Sequence, residues 1–118
     1  MNSADQVYWE IAKSCGTPPS VPAQPIKYDH LKPQMWLVPM ASIKAIAELM
    51  TKALEKYPNK DNWKNIDNGE ERYLNALLRH LSDIQEGQEF DQETKLPHAY
   101  AVGANALFYL YHYLKRAA

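Results

Sequence analysis

Cysteine is almost missing from this chain. Cys15 stands alone, so neither a disulfide framework nor a cysteine-based zinc site is available within one chain. Glycine is scarce, with 4 in 118 residues, and none are grouped into a Gly-rich phosphate loop. His-Glu-x-x-His and Gly-x-Ser-x-Gly are also absent, which removes the zincin and serine-hydrolase readings. Nor is there an excess of charge of one sign. The net charge is -1, so no global basic field recommends duplex nucleic acid as a partner. One short apolar run, Met35-Trp36-Leu37-Val38, precedes Pro39. It is either an extended segment or the approach to a helix, and with no second good strand it does not argue for a sheet. The early residues include Asp5 and Glu10, unlike a signal peptide. The most apolar stretch, late in the chain, is broken by His98, Asn105 and His112, so no membrane span is expected. A cytoplasmic location is the default expectation.

What remains is helix signal. Hydrophobic content of 46% with 23% charged residues fits one globular domain with one core. The first long helix is expected from about Met40 to Tyr57. Ile43, Ile46, Ala47, Met50, Leu54 and Tyr57 recur at helical spacing, and Pro58 stops the run. A second is expected from about Glu70 to Glu86, with Tyr73, Leu74, Leu77, Leu78, Leu81 and Ile84 on its apolar face and Gly87 as its C-cap. The third begins near Pro97, with Thr94 as an upstream cap, and runs to Lys115-Arg116. It is apolar nearly all round and should be the buried central helix. Before them, residues 3 to 13 could form a short helix, followed by a proline-rich strap from Gly16 to Pro25. The expected fold is therefore all-α: a small bundle of three long helices, with an N-terminal arm (1–26) ahead of a helical domain (27–118). The central helix carries more apolar surface than its neighbours can cover, which points to a homodimer or higher homo-oligomer.

The polar exceptions carry the chemistry. His98, Asn105 and His112 recur every seven residues on one face of the central helix. Either they form a satisfied core network or they are one wall of a polar site. Acids and histidines gather around them in sequence: Glu48, Glu55, His80, Asp83, Glu89, Asp91, Glu93 and His98. An acid-rich set of this kind suits a hard divalent cation, and Mn²⁺ also accepts imidazole. Glu48, Lys52 and Glu55 equally read as a solvated face with an i,i+4 ion pair. Trp63, in the turn-rich loop 59–69, either anchors that loop or offers a flat surface to a base.

Several short pieces, taken together in order, resemble the dATP/dGTP diphosphohydrolase N-terminal domain family, a mainly phage family. These are Lys27-Tyr28-Asp29 with Lys32-Pro33, Leu37-Val38-Pro39, Glu55-Lys56-Tyr57, Asn62-Trp63, Leu78-Arg79-His80-Leu81, Gly87, Asp91 with Glu93, Leu96-Pro97-His98, and Asn105-Ala106-Leu107-Phe108. The family is similar to MazG-like all-α nucleotide pyrophosphohydrolases. The resemblance implies Mg²⁺- or Mn²⁺-dependent hydrolysis of a (deoxy)nucleoside triphosphate, of the dATP/dGTP type, to the monophosphate and pyrophosphate. If the chain is phage-encoded, this would take place in the host cytoplasm. Carried over, Glu93, Asp91 and His80 become catalytic candidates, and Glu55, Asp91, Glu93 and His98 become metal candidates. Lys56, Asn62, Trp63, Arg79 and Asn105 become candidates for nucleotide contacts. The chain departs from the family pattern at Gln88, Lys95 and Ala101, and at Ala53-Leu54 before the Glu-Lys-Tyr piece. The first two replace a glutamate and a glycine; Ala101 stands where a second histidine is often found. These changes keep open a nucleotide-binding or nucleotide-sequestering protein that no longer cleaves. A purely structural role, with the three stripe residues satisfying one another, is the remaining alternative.

Overall fold

The computed structural model describes residues 24–118. The short N-terminal helix and most of the proline strap expected from the sequence lie outside these residues. The chain divides into two compact units, Met1–Val38 and Pro39–Ala118. In the described part of the first, residues 24–34 are irregular apart from a turn near His30, and Met35–Leu37 forms a single 3-10 turn. The apolar run Met35–Val38 is thus neither strand nor α-helix.

The second unit is all-α. It contains α1 (Met40–Ala53), α2 (Gly69–Gln85) and α3 (His98–Ala117), with a 3-10 turn at Asn62–Asn65 between α1 and α2. Among the described residues the only β pairing is an isolated bridge, Phe90 with Pro97. No helix among the described residues is long and apolar enough to cross a membrane.

Helix ends follow local chemistry. α1 stops at Ala53, four residues before the expected end, and the chain closes a turn in which the Tyr57 amide donates to the Ala53 carbonyl at 2.8 Å. Glu55 and Lys56 therefore sit on a turn, not on the helix. α2 ends in a Schellman arrangement. Gly87, at φ +88°, takes the left-handed conformation, with Gly87 N–H donating to Ile84 and Gln88 N–H to the Asp83 carbonyl. The start of α3 differs from expectation. Pro97 is the residue before the helix rather than part of its first turn, and Thr94 does not cap it. The Thr94 hydroxyl instead accepts from Leu96 N–H at 3.2 Å, and the first helical amide, that of His98, donates to the Glu89 carbonyl at 2.8 Å. The hairpin-like loop supplies the acceptor that a cap would otherwise provide.

α3 is the central element, as its sequence suggests. It packs against both α1 and α2, while α1 and α2 do not pack on each other. Ala101 and Ala104 are its fully buried apolar positions. Gly103 admits α1 closely, since a Cβ there would lie 3.1 Å from Ile46 Cγ1. The small residue thus serves close helix packing inside the chain. Gly69, buried at the start of α2, faces the His112 ring, and a Cβ there would lie 2.4 Å from it. His112 cannot retreat easily, because its Nε2 is bonded to the Trp63 carbonyl at 2.8 Å. Gly69→Ala is expected to destabilise by about 1–3 kcal/mol through overpacking, read as a lower melting temperature.

The second face of α2 is uncovered. Leu74, Leu78, Leu81 and Ile84 recur along it and are 39–54% exposed. Leu110, Tyr113 and Leu114 are also exposed, at the far end of α3.

Candidate active site

Because α1 and α2 both rest on α3 but not on each other, a cleft of about 540 Å³ opens between them. This volume is in the usual range for a small-molecule site. Its floor is Ala101, Asn105 and Phe108 of α3. One wall is Leu49, Met50 and Ala53 with the turn Leu54–Tyr57. The other is Arg72, Tyr73, Ala76, Arg79 and His80 of α2. The loop residues Asn59, Lys60, Asn62 and Trp63 and the acids Asp91 and Glu93 complete the lining.

At one pole lies a group of potential metal ligands. Ligand atoms of His80, Asp91 and His98 all lie within 4.8 Å of one another. His80 Nδ1 and His98 Nδ1 are 2.8 Å apart, close enough for one to donate to the other. His98 is buried, at 4% exposure, at the first residue of α3. Its other ring nitrogen, Nε2, lies 3.6 Å from Asp83 Oδ2. Burial holds the His80 imidazole below its ordinary pKa, helped by His98 and Arg79 and opposed by Asp91 and Asp83. The shift favours the neutral imidazole, the form that ligates.

Asp91 is fixed by its loop. Its N–H donates to the Leu96 carbonyl, its carbonyl accepts from Lys95 N–H, and its Oδ1 accepts from Glu93 N–H at 2.8 Å. Lys95 closes this loop in the left-handed region, at φ +63°. Its side chain is exposed and reaches only toward Gln92, with Nζ 3.5 Å from Oε1. The departure from the family's glycine is thus a matter of backbone conformation. Lys95→Gly is expected to stabilise the chain by about 0.5–1 kcal/mol, because relief of left-handed strain exceeds the entropy that glycine adds. Lys95→Val should destabilise, since a β-branched residue is strained at that φ. Urea midpoints of the two variants will separate these effects.

Glu55 and Glu93 line the cleft but stand outside the His80–Asp91–His98 group. Glu93 Oε1 is instead 2.6 Å from Lys56 Nζ, an exposed ion pair linking the end of α1 to the acidic loop. The hydrogen bond to Glu93 raises the Lys56 pKa. Of the sequence-derived nucleotide contacts, Lys56, Asn62, Trp63, Arg79 and Asn105 all line the cleft. Asn105 is buried and donates Nδ2 to the Ala101 carbonyl. Trp63 is an anchor. Its ring stacks on Phe108 at 4.6 Å and meets Tyr111 edge-on at 4.8 Å. Its carbonyl accepts from the Tyr73 hydroxyl at 3.3 Å as well as from His112. The three stripe residues of α3 therefore part company. His98 joins the metal-ligand group, Asn105 forms cleft floor and His112 secures the Trp63 loop, each with partners of its own.

Lys60, Arg72 and Tyr73 also line the cleft and were not singled out from the sequence. Tyr73 reads there as core, and burial does raise its phenol pKa. Lys60 and Arg72 carry no signal beyond their charge. Glu89 contributes its carbonyl to the start of α3, and Glu48 is exposed on α1.

The fold and cleft together define a small all-α domain with a histidine–carboxylate group set among cationic side chains. The chain belongs to the dATP/dGTP diphosphohydrolase, N-terminal family, whose description matches residues 22–118. No curated protein and no solved structure matches it. The family's description names a dATP/dGTP diphosphohydrolase and refers to its N-terminal domain.

Proposed function

We propose that this chain is a divalent-metal-dependent diphosphohydrolase that converts purine deoxynucleoside triphosphates of the dATP/dGTP type to the monophosphate and pyrophosphate, as part of phage nucleotide metabolism. One observation carries the reading. A single cleft combines His80 and Asp91 of the histidine–carboxylate group, the five cations Lys52, Lys56, Lys60, Arg72 and Arg79, and the aromatic rings of Trp63, Tyr73 and Phe108. A triphosphate needs cations and a metal-holding pole together, and a base needs an apolar or aromatic surface.

His80, Asp91 and His98 are the residues fitted to hold the ion, and Glu55 and Glu93 are further acids of the same cleft. A bound Mg²⁺ or Mn²⁺ would neutralise phosphate charge and lower the pKa of a water. The protein does the rest. Lys56 and Arg79 face phosphate oxygens, and Asn62 and Asn105 face the sugar or base. When Lys56 turns to a phosphate, Glu93 is released from its ion pair and takes a proton from the attacking water. A new P–O bond forms at the α- or β-phosphorus and the bridge between them breaks: attack at the α-phosphorus expels pyrophosphate with the electron pair of that bond, and attack at the β-phosphorus expels the monophosphate with it.

The uncovered Leu74, Leu78, Leu81 and Ile84 face of α2 supports assembly of this chain as a homodimer or higher homo-oligomer. Light scattering behind a sizing column should give a multiple of the chain mass for wild type and a smaller species for Leu78→Glu.

The test of function is a product screen. Each dNTP and NTP is incubated with the protein in Mg²⁺ and then in Mn²⁺, with products resolved by ion exchange. Monophosphate and pyrophosphate from dATP or dGTP, lost in Glu93→Ala, is the expected result. No product in either metal, with nucleotide still bound, would replace hydrolysis by sequestration. The Lys56–Glu93 ion pair, which occupies the expected base, favours that second reading.

A further inference from the structure

The geometry points to a site at His80, Asp91 and His98 that is built for a first-row transition ion such as Mn²⁺, Co²⁺ or Zn²⁺ and discriminates against Mg²⁺. The inference deepens the hydrolase reading. It rests on that reading for what the ion does, but not for whether the ion binds.

Four observations carry it. The donor set is two imidazoles and one carboxylate, and imidazole favours transition ions, whereas Mg²⁺ takes oxygen ligands and holds its waters. The two Nδ1 atoms are 2.8 Å apart. Two nitrogens bound side by side at the usual length of about 2.1 Å in octahedral geometry would be about 3.0 Å apart, so only a small opening admits an ion. The His98 ring is almost wholly buried and turns Nδ1 toward the group and Nε2 toward Asp83. At 3.6 Å the Asp83 carboxylate is not hydrogen-bonded to Nε2, but its charge favours a proton on Nε2 and leaves Nδ1 as the donor to an ion. Finally, Asp91 is locked by three hydrogen bonds within its loop, so the carboxylate arrives already placed. Three protein donors would leave the rest of an ion's coordination to water or a phosphate oxygen.

The experiment uses the full chain stripped of metal by a chelator. It is titrated with Co²⁺, read by its visible absorption, and with Mn²⁺, Zn²⁺ and Mg²⁺ by calorimetry. The expected result is one Co²⁺ per chain and Mg²⁺ at least a hundredfold weaker. His80→Ala and His98→Asn should each weaken Co²⁺ at least a hundredfold, while His30→Ala leaves it unchanged. Asp83→Asn should weaken it less than either, by roughly tenfold. Circular dichroism confirms that each variant is folded. Should His98→Asn fail to fold, His80→Ala and the wild-type Co²⁺ to Mg²⁺ ratio still decide the matter. Equal affinity for Mg²⁺ and Co²⁺, or Co²⁺ binding untouched by His80→Ala, would overturn the inference. Tight Co²⁺ binding without nucleotide turnover would remove only the hydrolase reading. Turnover in Mg²⁺ that ignores His80→Ala would remove only this one.

Discussion

Asp91→Asn is expected to lower dATP and dGTP turnover at least about a hundredfold while leaving the melting temperature nearly unchanged. The reason lies in how Asp91 is used. Its Oδ1 accepts from Glu93 N–H, and both of its backbone groups bond within the same loop. An asparagine keeps an oxygen for Glu93 N–H and both backbone bonds, so the loop stays formed. What it loses is the negative charge next to His80 and His98. Loss of turnover with the fold intact would mark Asp91 as functional. Retained turnover would mean that the acids of the cleft, Glu55 and Glu93, carry the reaction without it. Asp67→Asn, in an exposed position on the neighbouring loop, is the control and should behave as wild type.

Trp63→Ala is expected to have the largest effect on stability, about 3 kcal/mol or more. Trp63 belongs to no long helix, yet its ring contacts Phe108 and Tyr111 of α3, and its carbonyl receives both Tyr73 and His112. Removing the ring deletes the packing that holds the loop between α1 and α2 against the central helix. The two hydrogen bonds to the carbonyl then lose their fixed acceptor. Because this loop lines the cleft, nucleotide affinity should fall with it. Trp63→Phe should recover most of the stability by keeping an aromatic face on Phe108. Thermal melts of the three proteins, with nucleotide binding measured in parallel, will test this. A small change in Trp63→Ala would mean that the loop is held chiefly by its backbone.

The three helices were legible because each carries its own signal. Apolar spacing and Pro58 marked the first, the Gly87 stop marked the second, and continuous apolarity marked the third as central. The helix ends were less legible. Thr94 and Pro97 look like a cap and a first turn, but the Phe90–Pro97 bridge and the Glu89 carbonyl meet those needs from outside the helix. Among site residues, acid and histidine content drew attention to His80, Asp91 and His98. Nothing in their spacing shows that the two rings meet through Nδ1, because the contact joins a residue late in α2 to the first residue of α3 across a loop. Trp63 illustrates the limit from the other side. Its sequence context does not show that its ring packs on Phe108, and so anchors the loop, while still lining the cleft.

By itself, the sequence determined that this chain is helical, that its last helix is central, and which residue types were available for chemistry. Helical periodicity and helix stops are local properties, and residue supply is a matter of composition. Tertiary structure alone decided that α1 and α2 each pack on α3 rather than on each other, which creates the cleft. It also decided that, of the many acids and histidines, His80, Asp91 and His98 converge while Glu93 pairs with Lys56. Those outcomes depend on how distant segments pack, and the energies that choose among such packings are shared over many contacts rather than written at any one position.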